Sequence, residues 1–213
     1  DYPAVLEMER KHTMRSFHLP VQLAFVGDFI TRSFLAPNVV GLIEGSDPEL
    51  KKTFVVVSAH YDHLGIGPEI DGDGIYNGVV DNALGVAGAL EIARVISSLD
   101  RAPRRSILFV FTTAEEEGNL GSAYFLEHPP APLPDLVADI NIDGLAFLEA
   151  FNDVVGIGGE LSELGEFLDR AVKPLGLTVA KSDNVMWGHE AFARSDQAAF
   201  AEAGVPSILI SEG

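Results

Sequence analysis

Phe54-Val55-Val56-Val57-Ser58-Ala59-His60-Tyr61-Asp62-His63 is the stretch on which the reading of this chain turns. Its first six residues are small, β-branched or aromatic, with no polar alternation, which is how a strand covered on both faces reads. The run then breaks into side chains that bind metals or move protons. The same change of character recurs downstream. Ser106 to Thr113 is an apolar run that leads, after Ala114, into Glu115-Glu116-Glu117-Gly118. Leu136 to Ile142 leads into Asp143-Gly144. Between the first two runs, residues 82–99 place Leu84, Ala87, Leu90, Ile92, Val95, Ile96 and Leu99 at helical spacing, directly after Asp81.

Shorter elements fill in around these. Asn38 to Ile43, Val154 to Ile157 and Val205 to Ser211 read as strands, and Gly121 to Glu127, Leu161 to Lys173 and Ser195 to Ala203 as helices. Strands alternating with helices predict an α/β domain, a three-layer sandwich whose mixed, mostly parallel central sheet has helices on both faces. Residues 65–78, rich in Gly and Asp, read as a loop. Its Asp71-Gly72-Asp73-Gly74 lacks the ligand spacing and terminal Glu of a calcium loop and reads as a turn flanking the site. Residues 1–35 are expected to form a separate N-terminal segment or flank, and 36–213 the main domain. The 205–211 strand lies so near Gly213 that this domain is expected to continue past it.

The chain's 213 residues suffice for one well-buried core. Hydrophobic content of 47% with a mean hydropathy of +0.20 excludes a disordered chain. Fourteen basic against 32 acidic residues, a formal charge of −18, argue against a nucleic-acid partner, because that binding rests on Lys and Arg meeting phosphates. An anionic membrane surface is disfavoured for the same reason. With no cysteine there is no thiolate zinc site and no cysteine nucleophile.

In open α/β sheets, ligands gather beyond the carboxyl ends of the strands. His60, Asp81, the Glu115–Glu117 triplet and Asp143 all fall at element boundaries that should share one edge. Imidazole and carboxylates without thiolate suit Zn²⁺, and several acids around two cations suit a pair bridged by one carboxylate. Each residue also has a plainer reading. His60 alone would be a buried core histidine, Asp81 a helix cap, the Glu triplet a solvated charge run, and Asp143 a turn acid.

His60-Tyr61-Asp62, Asn77-Gly78-Val79-Val80-Asp81-Asn82, Glu115-Glu116-Glu117-Gly118-Asn119-Leu120-Gly121-Ser122 and Asp143 together resemble the M28 family of co-catalytic zinc aminopeptidases. Arg194-Ser195-Asp196-Gln197 and Gly204-Val205-Pro206 extend the resemblance. It implies two Zn²⁺, with His60 and Asp143 on one, Glu116 on the other and Asp81 bridging. It makes Glu115 the general base and Asp62 the acid that orients His60, a device that fixes the imidazole tautomer. It further implies a cis peptide bond between Asp81 and Asn82, a peptide substrate cleaved at its N-terminal bond, and a secreted or periplasmic location. A fifth ligand, a histidine after the last strand, is implied but does not occur before Gly213.

The related M20 peptidases carry a large lid after the third acidic cluster, and the 70 residues that follow Asp143 leave little room for one. Two rival functions stand: a glutaminyl-cyclase-like acyl transferase with one zinc, and an inactive binding domain that keeps the peptidase fold. His63 is read as structural or as supporting its neighbours, and His12, His18 and His128 as unrelated to the site. His189 is a candidate for lining the substrate cleft. Trp187 and Phe192 are candidates for an apolar side-chain pocket, against a packing role.

Overall fold

The computed structural model describes residues 2–16, 21–22, 24–28, 31, 33–145, 151–180 and 192–212. Asp1–Phe34 forms one unit and Leu35–Gly213 a second. In the first, helix α1 (Tyr2–Arg10) carries an exposed Lys11–Glu7 ion pair of 2.9 Å.

The second unit is built on nine strands and four helices among the described residues. In chain order these are β1 (Val39–Ile43), β2 (Phe54–His60), β3 (Gly65–Ile70), β4 (Asp73–Tyr76) and α2 (Leu84–Ser97). Then come β5 (Ser106–Thr112), α3 (Leu120–Glu127), β6 (Leu136–Ile142) and β7 (Asp153–Ile157). The series closes with α4 (Leu164–Val172), β8 (Thr178–Ala180), α5 (Gln197–Glu202) and β9 (Ser207–Glu212). Seven strands form one sheet in the order β1-β5-β2-β6-β9-β7-β8. The four central strands β5, β2, β6 and β9 run parallel, β1 and β7 pair antiparallel to their inner neighbours, and β8 runs parallel to β7. The sheet is thus mixed and mostly parallel, as predicted.

Alternation along the strands divides the core between two faces. Val56, Leu108, Val110 and Leu136 meet Phe125 and Leu126 of α3 and Phe200 of α5. Val57 and Phe109, next in sequence to Val56 and Leu108, meet Ala89 of α2 on the other side together with Ile142. Covering both faces is why apolar residues follow one another along β2 and β5 without strict alternation. The edge strand β1, by contrast, leaves Val39, Val40 and Leu42 exposed.

Two elements depart from the sequence reading. Residues 65–78 are not an open loop, because β3 and β4 pair as an antiparallel hairpin. Its tip is Asp71-Gly72, at φ of 54° and 87°, the two-residue left-handed turn that Asp-Gly favours. The three-residue strand β8 is additional. Trp187, His189 and His18 lie outside the described residues. Phe192 packs on the cluster formed by Val155, Ile157 and Leu209.

Between β1 and β2 the chain is held by Asp47. Its Oδ1 accepts backbone N–H bonds from Glu49 and Leu50, each 3.0 Å, and Oδ2 accepts 2.9 Å from Arg104 Nη2. The Leu50 N–H, then the Arg104 guanidinium, then the Glu49 N–H hold its pKa down to about 2, from 3.8. A depressed carboxyl stabilises the fold above its unfolded pKa and loses that contribution as pH falls through the folded one. Asp47→Asn is therefore expected to be less stable than wild type above about pH 4, with the gap closing as pH approaches about 2. Paired urea titrations across that range read it; a gap independent of pH would contradict the assignment.

Candidate metal centre

Strand register brings the groups together. His60 stands opposite Thr112 on β5, and Ser58 opposite Asn141 on β6, so two residues further along His60 draws level with Asp143. The His60 ring is fully buried, with Nε2 3.1 Å from Asp81 Oδ1 and 3.3 Å from Asp143 Oδ1. Nδ1, on the other side of the ring, is 3.2 Å from the Asp62 carbonyl oxygen and 3.6 Å from its carboxylate Oδ1. That carboxylate in turn accepts the Glu115 backbone N–H at 3.3 Å. Burial alone would lower the imidazole pKa, but the carboxylates of Asp143, Asp62 and Asp81 outweigh it and hold the ring well above its ordinary value. The His60 ring in turn lowers Asp81.

Asp81 arrives from the loop before α2, through a backbone that is not helical (φ −117°, ψ 92°). The Asp81–Asn82 peptide bond is cis, as the resemblance implied. Asn82, 1% exposed, ties this loop to β6. Its Nδ2 donates to the Ile142 carbonyl at 2.9 Å, and its Oδ1 accepts the Gly85 N–H at 3.1 Å. Gly85 must be glycine here, since a Cβ would collide with the Asn82 side chain and the Ile142 carbonyl.

The Glu triplet separates by burial. After β5, Ala114 takes a left-handed φ of 54°, and the next three residues are buried Glu115, half-buried Glu116 and exposed Glu117. Burial, with Asp143, Asp196 and Glu116 nearby, pushes Glu115 up to about 8 against the opposing pull of His60. Glu116 Oε1 lies 2.7 Å from His63 Nδ1. Two groups of metal-competent atoms result, each within 4.8 Å: His60, Asp81 and Asp143, and His63, Asp81 and Glu116. Asp81 belongs to both. In a tetrahedral zinc site with bonds of ~2.0–2.1 Å, donor atoms stand roughly 3.3–3.4 Å apart, close to the His60 spacings. The donor set fits zinc.

The sequence reading brings five acids and one imidazole into this region and reads His63 as structural or as supporting its neighbours; the structure places it beside Glu116. It also gave Asn82 no role. Of the remaining histidines, His12 is exposed, and His128 stacks on exposed Tyr124 with centroids 4.3 Å apart. Beneath the site lies a polar layer. Ser58 Oγ donates to Asp139 Oδ1 at 2.8 Å, Asn141 Nδ2 donates to Ser195 Oγ and Gln197 Oε1, both 2.8 Å, and Thr112 Oγ1 donates to Asp196 Oδ2 at 2.5 Å. Burial raises both Asp139 and Asp196.

Comparison with known proteins decides the family. The model for peptidase family M28 matches residues 38–212. The chain belongs to peptidase family M28. The chain is 25% identical to a zinc aminopeptidase of Bacillus subtilis, at a TM-score of 0.62 over 83% of this chain and 40% of that one. It is 33% identical over 112 residues to a vacuolar membrane protease of Lachancea thermotolerans, covering 53% of this chain and 10% of that protein. A probable zinc metalloprotease of Pyrenophora teres f. teres is 35% identical over 107 residues, covering 50% of this chain and 22% of that protein. The chain thus spans under a quarter of the length of these two curated relatives. The expected secreted or periplasmic location is overturned by the vacuolar membrane proteases among them, which include one from Verticillium alfalfae at 28% identity over 134 residues, 63% of this chain and 12% of that protein.

Asn82 offers a direct test of how this M28 site is held. Asn82→Ala would leave the buried Ile142 carbonyl and Gly85 N–H without their side-chain partner, at ~1–3 kcal/mol for each unsatisfied group. The variant should lose roughly 2 kcal/mol or more in urea unfolding, and a loss below about 0.5 kcal/mol, within the range of an ordinary surface change, would refute the clamp.

Proposed function

We propose that this chain is the catalytic domain of a zinc exopeptidase that removes the N-terminal residue of peptides. One observation carries the reading: Asp81 is common to two groups of metal-competent atoms, with buried Glu115 beside them. In this reading His60 and Asp143 would hold one zinc, Glu116 would help to hold the other, and Asp81 would be shared by the two sites. When bound, zinc supplies Lewis-acid polarisation of the scissile carbonyl and acidifies the attacking water. Glu115 takes the proton from that water at its carboxylate and gives it to the leaving amine nitrogen, which must be protonated to depart. Asp62 orients His60, and its carboxylate also receives the Glu115 backbone N–H, so one side chain positions both a ligand and the base. The net charge of −18 favours approach of a protonated peptide N-terminus and repels nucleic acid. The setting is the vacuolar membrane that the relatives' names carry. Among the described residues no helix is long and apolar enough to cross it.

Full-length protein incubated with aminoacyl anilides and short peptides should release free amino acids and carry two zinc ions per chain. A peptide beginning with Gln should lose that residue; a product lighter by one ammonia would instead indicate the cyclase chemistry. Glu115→Gln should lower kcat by ~10²–10⁴-fold, the share of a general base, while zinc content is unchanged. Near-normal turnover in that variant would remove Glu115 from the mechanism.

A further inference from the structure

The sequence reads His63 as structural or as supporting its neighbours, and its surroundings give it a different standing. Its Nδ1 and Glu116 Oε1 are 2.7 Å apart. Both atoms are shielded from solvent, yet among the described residues neither has a hydrogen-bond partner. An imidazole N–H paired with a carboxylate at that distance would point at the oxygen, as charge-assisted bonds do. Here the pair, at 2.7 Å, does not meet hydrogen-bond geometry. Two donor atoms side by side and not aimed at one another have the geometry of neighbours that face a third centre. Left as they are, the two groups would cost ~1–3 kcal/mol each in lost hydration. An Asp81 carboxylate oxygen lies within 4.8 Å of both and completes a triangle of one imidazole and two carboxylates, a zinc donor set.

The backbone is shaped to bring His63 there. Gly78, three residues before Asp81, has a left-handed φ of 63°. A Cβ at that position would sit 2.7 Å from the Asp81 carbonyl oxygen and 2.7 Å from both Cβ and Cγ of His63. The absence of a side chain at 78 is what lets the His63 ring lie against the Asp81 loop. Close approach and left-handed backbone together require glycine.

We infer that His63 binds the second zinc through Nδ1, beside Glu116 and the shared Asp81. The inference rests on the two-zinc reading above and extends it. Each zinc then has one imidazole and one carboxylate of its own, His60 with Asp143 and His63 with Glu116, plus the shared Asp81. Within residues 1–213 the second zinc then has three protein ligands, to which the histidine implied after the last strand would add. Both imidazoles come from one four-residue stretch at the end of β2, so a single strand end sets where the two ions lie.

The test is metal binding, not turnover. Full-length wild type, His63→Ala, His63→Gln and His60→Ala are stripped with a chelator and titrated with Zn²⁺ by calorimetry, with Co²⁺ absorption as a second readout. Wild type is expected to bind two ions. His63→Ala and His63→Gln should retain one site and lose more than ~100-fold in affinity at the other, beyond the ~10–100-fold typical of a residue that merely supports a ligand. One set of cobalt bands should disappear, while His60→Ala loses the other set. Thermal melts in chelator identify any variant that fails to fold, and the Gln variant carries the test if Ala does. Wild type at two ions with His63 variants also at two, or weakened by less than ~100-fold, overturns the role of His63 alone. Fewer than two ions in wild type overturns the two-zinc reading itself.

Discussion

Carboxylates crowded at the ends of three parallel strands are the constraint around which this domain is arranged. Asp62, Asp81, Asp143, Glu115 and Glu116 converge on His60 and His63. Two like charges ~4 Å apart repel by about 4 kcal/mol at the effective dielectric of a protein surface, so such a cluster disperses unless something opposes it. One opposing force is the His60 ring, whose pKa its carboxylate neighbours hold above the ordinary value. One imidazole cannot balance the carboxylates gathered around it. The imbalance is the electrostatic signature of a place meant for multivalent cations, and binding them stabilises the fold that gathers the ligands.

The remaining opposition is mechanical and comes from the sheet. Parallel strands β5, β2 and β6 end at a common level, so the backbone fixes the His60–Asp143 spacing before any side chain chooses a rotamer. Below them, Ser58, Asn141, Ser195 and Gln197 interlock strands β2 and β6 with the start of α5. Gln197 Nε2 donates in turn to the Phe192 carbonyl at 2.6 Å. Asp139 and Asp196 are taken into this layer with pKa values raised by burial, which favours their neutral form. The same residue type thus serves two purposes. Asp62 and Asp81 beside His60 are held below the ordinary carboxylate value, and Asp139 and Asp196 one layer down act as buried hydrogen-bonding groups.

How far the sequence disclosed this depends on what each element buries. β2, β5 and β6 are covered on both faces, so their composition announces them, and the metal-competent residues stand out because they break the apolar runs. The β3–β4 hairpin gives no such signal. Ile66, Ile70 and Ile75 are exposed, Gly and Pro interrupt the alternation, and only Asp71-Gly72 marks the turn. At three residues, β8 is too short for any periodicity. The place of His63 beside Glu116 is not legible in sequence, because the His60-Tyr61-Asp62 motif accounts for its own residues and says nothing of the next. Only the fold of the Gly78–Asp81 loop over the strand end brings that ring beside Glu116. The signal available in sequence was Gly78 itself, a residue whose lack of a side chain implied a close neighbour.

Asp81 shows most clearly how site and fold depend on one another. Unlike His60 and Asp143 it does not stand at a strand end, so the sheet register cannot place it. Its position follows from Asn82, which grips the Ile142 carbonyl immediately before Asp143 and the Gly85 N–H at the start of α2. Two carboxylates that approach the same imidazole, from loops 60 residues apart, are therefore linked through a single buried amide. A movement of α2 would shift Asp81 relative to Asp143, and a ligand drawing Asp81 and Asp143 together would tighten α2 against β6. The long apolar helix of the sequence is thus part of the site: its first turn sets the geometry of the one acid that both clusters share.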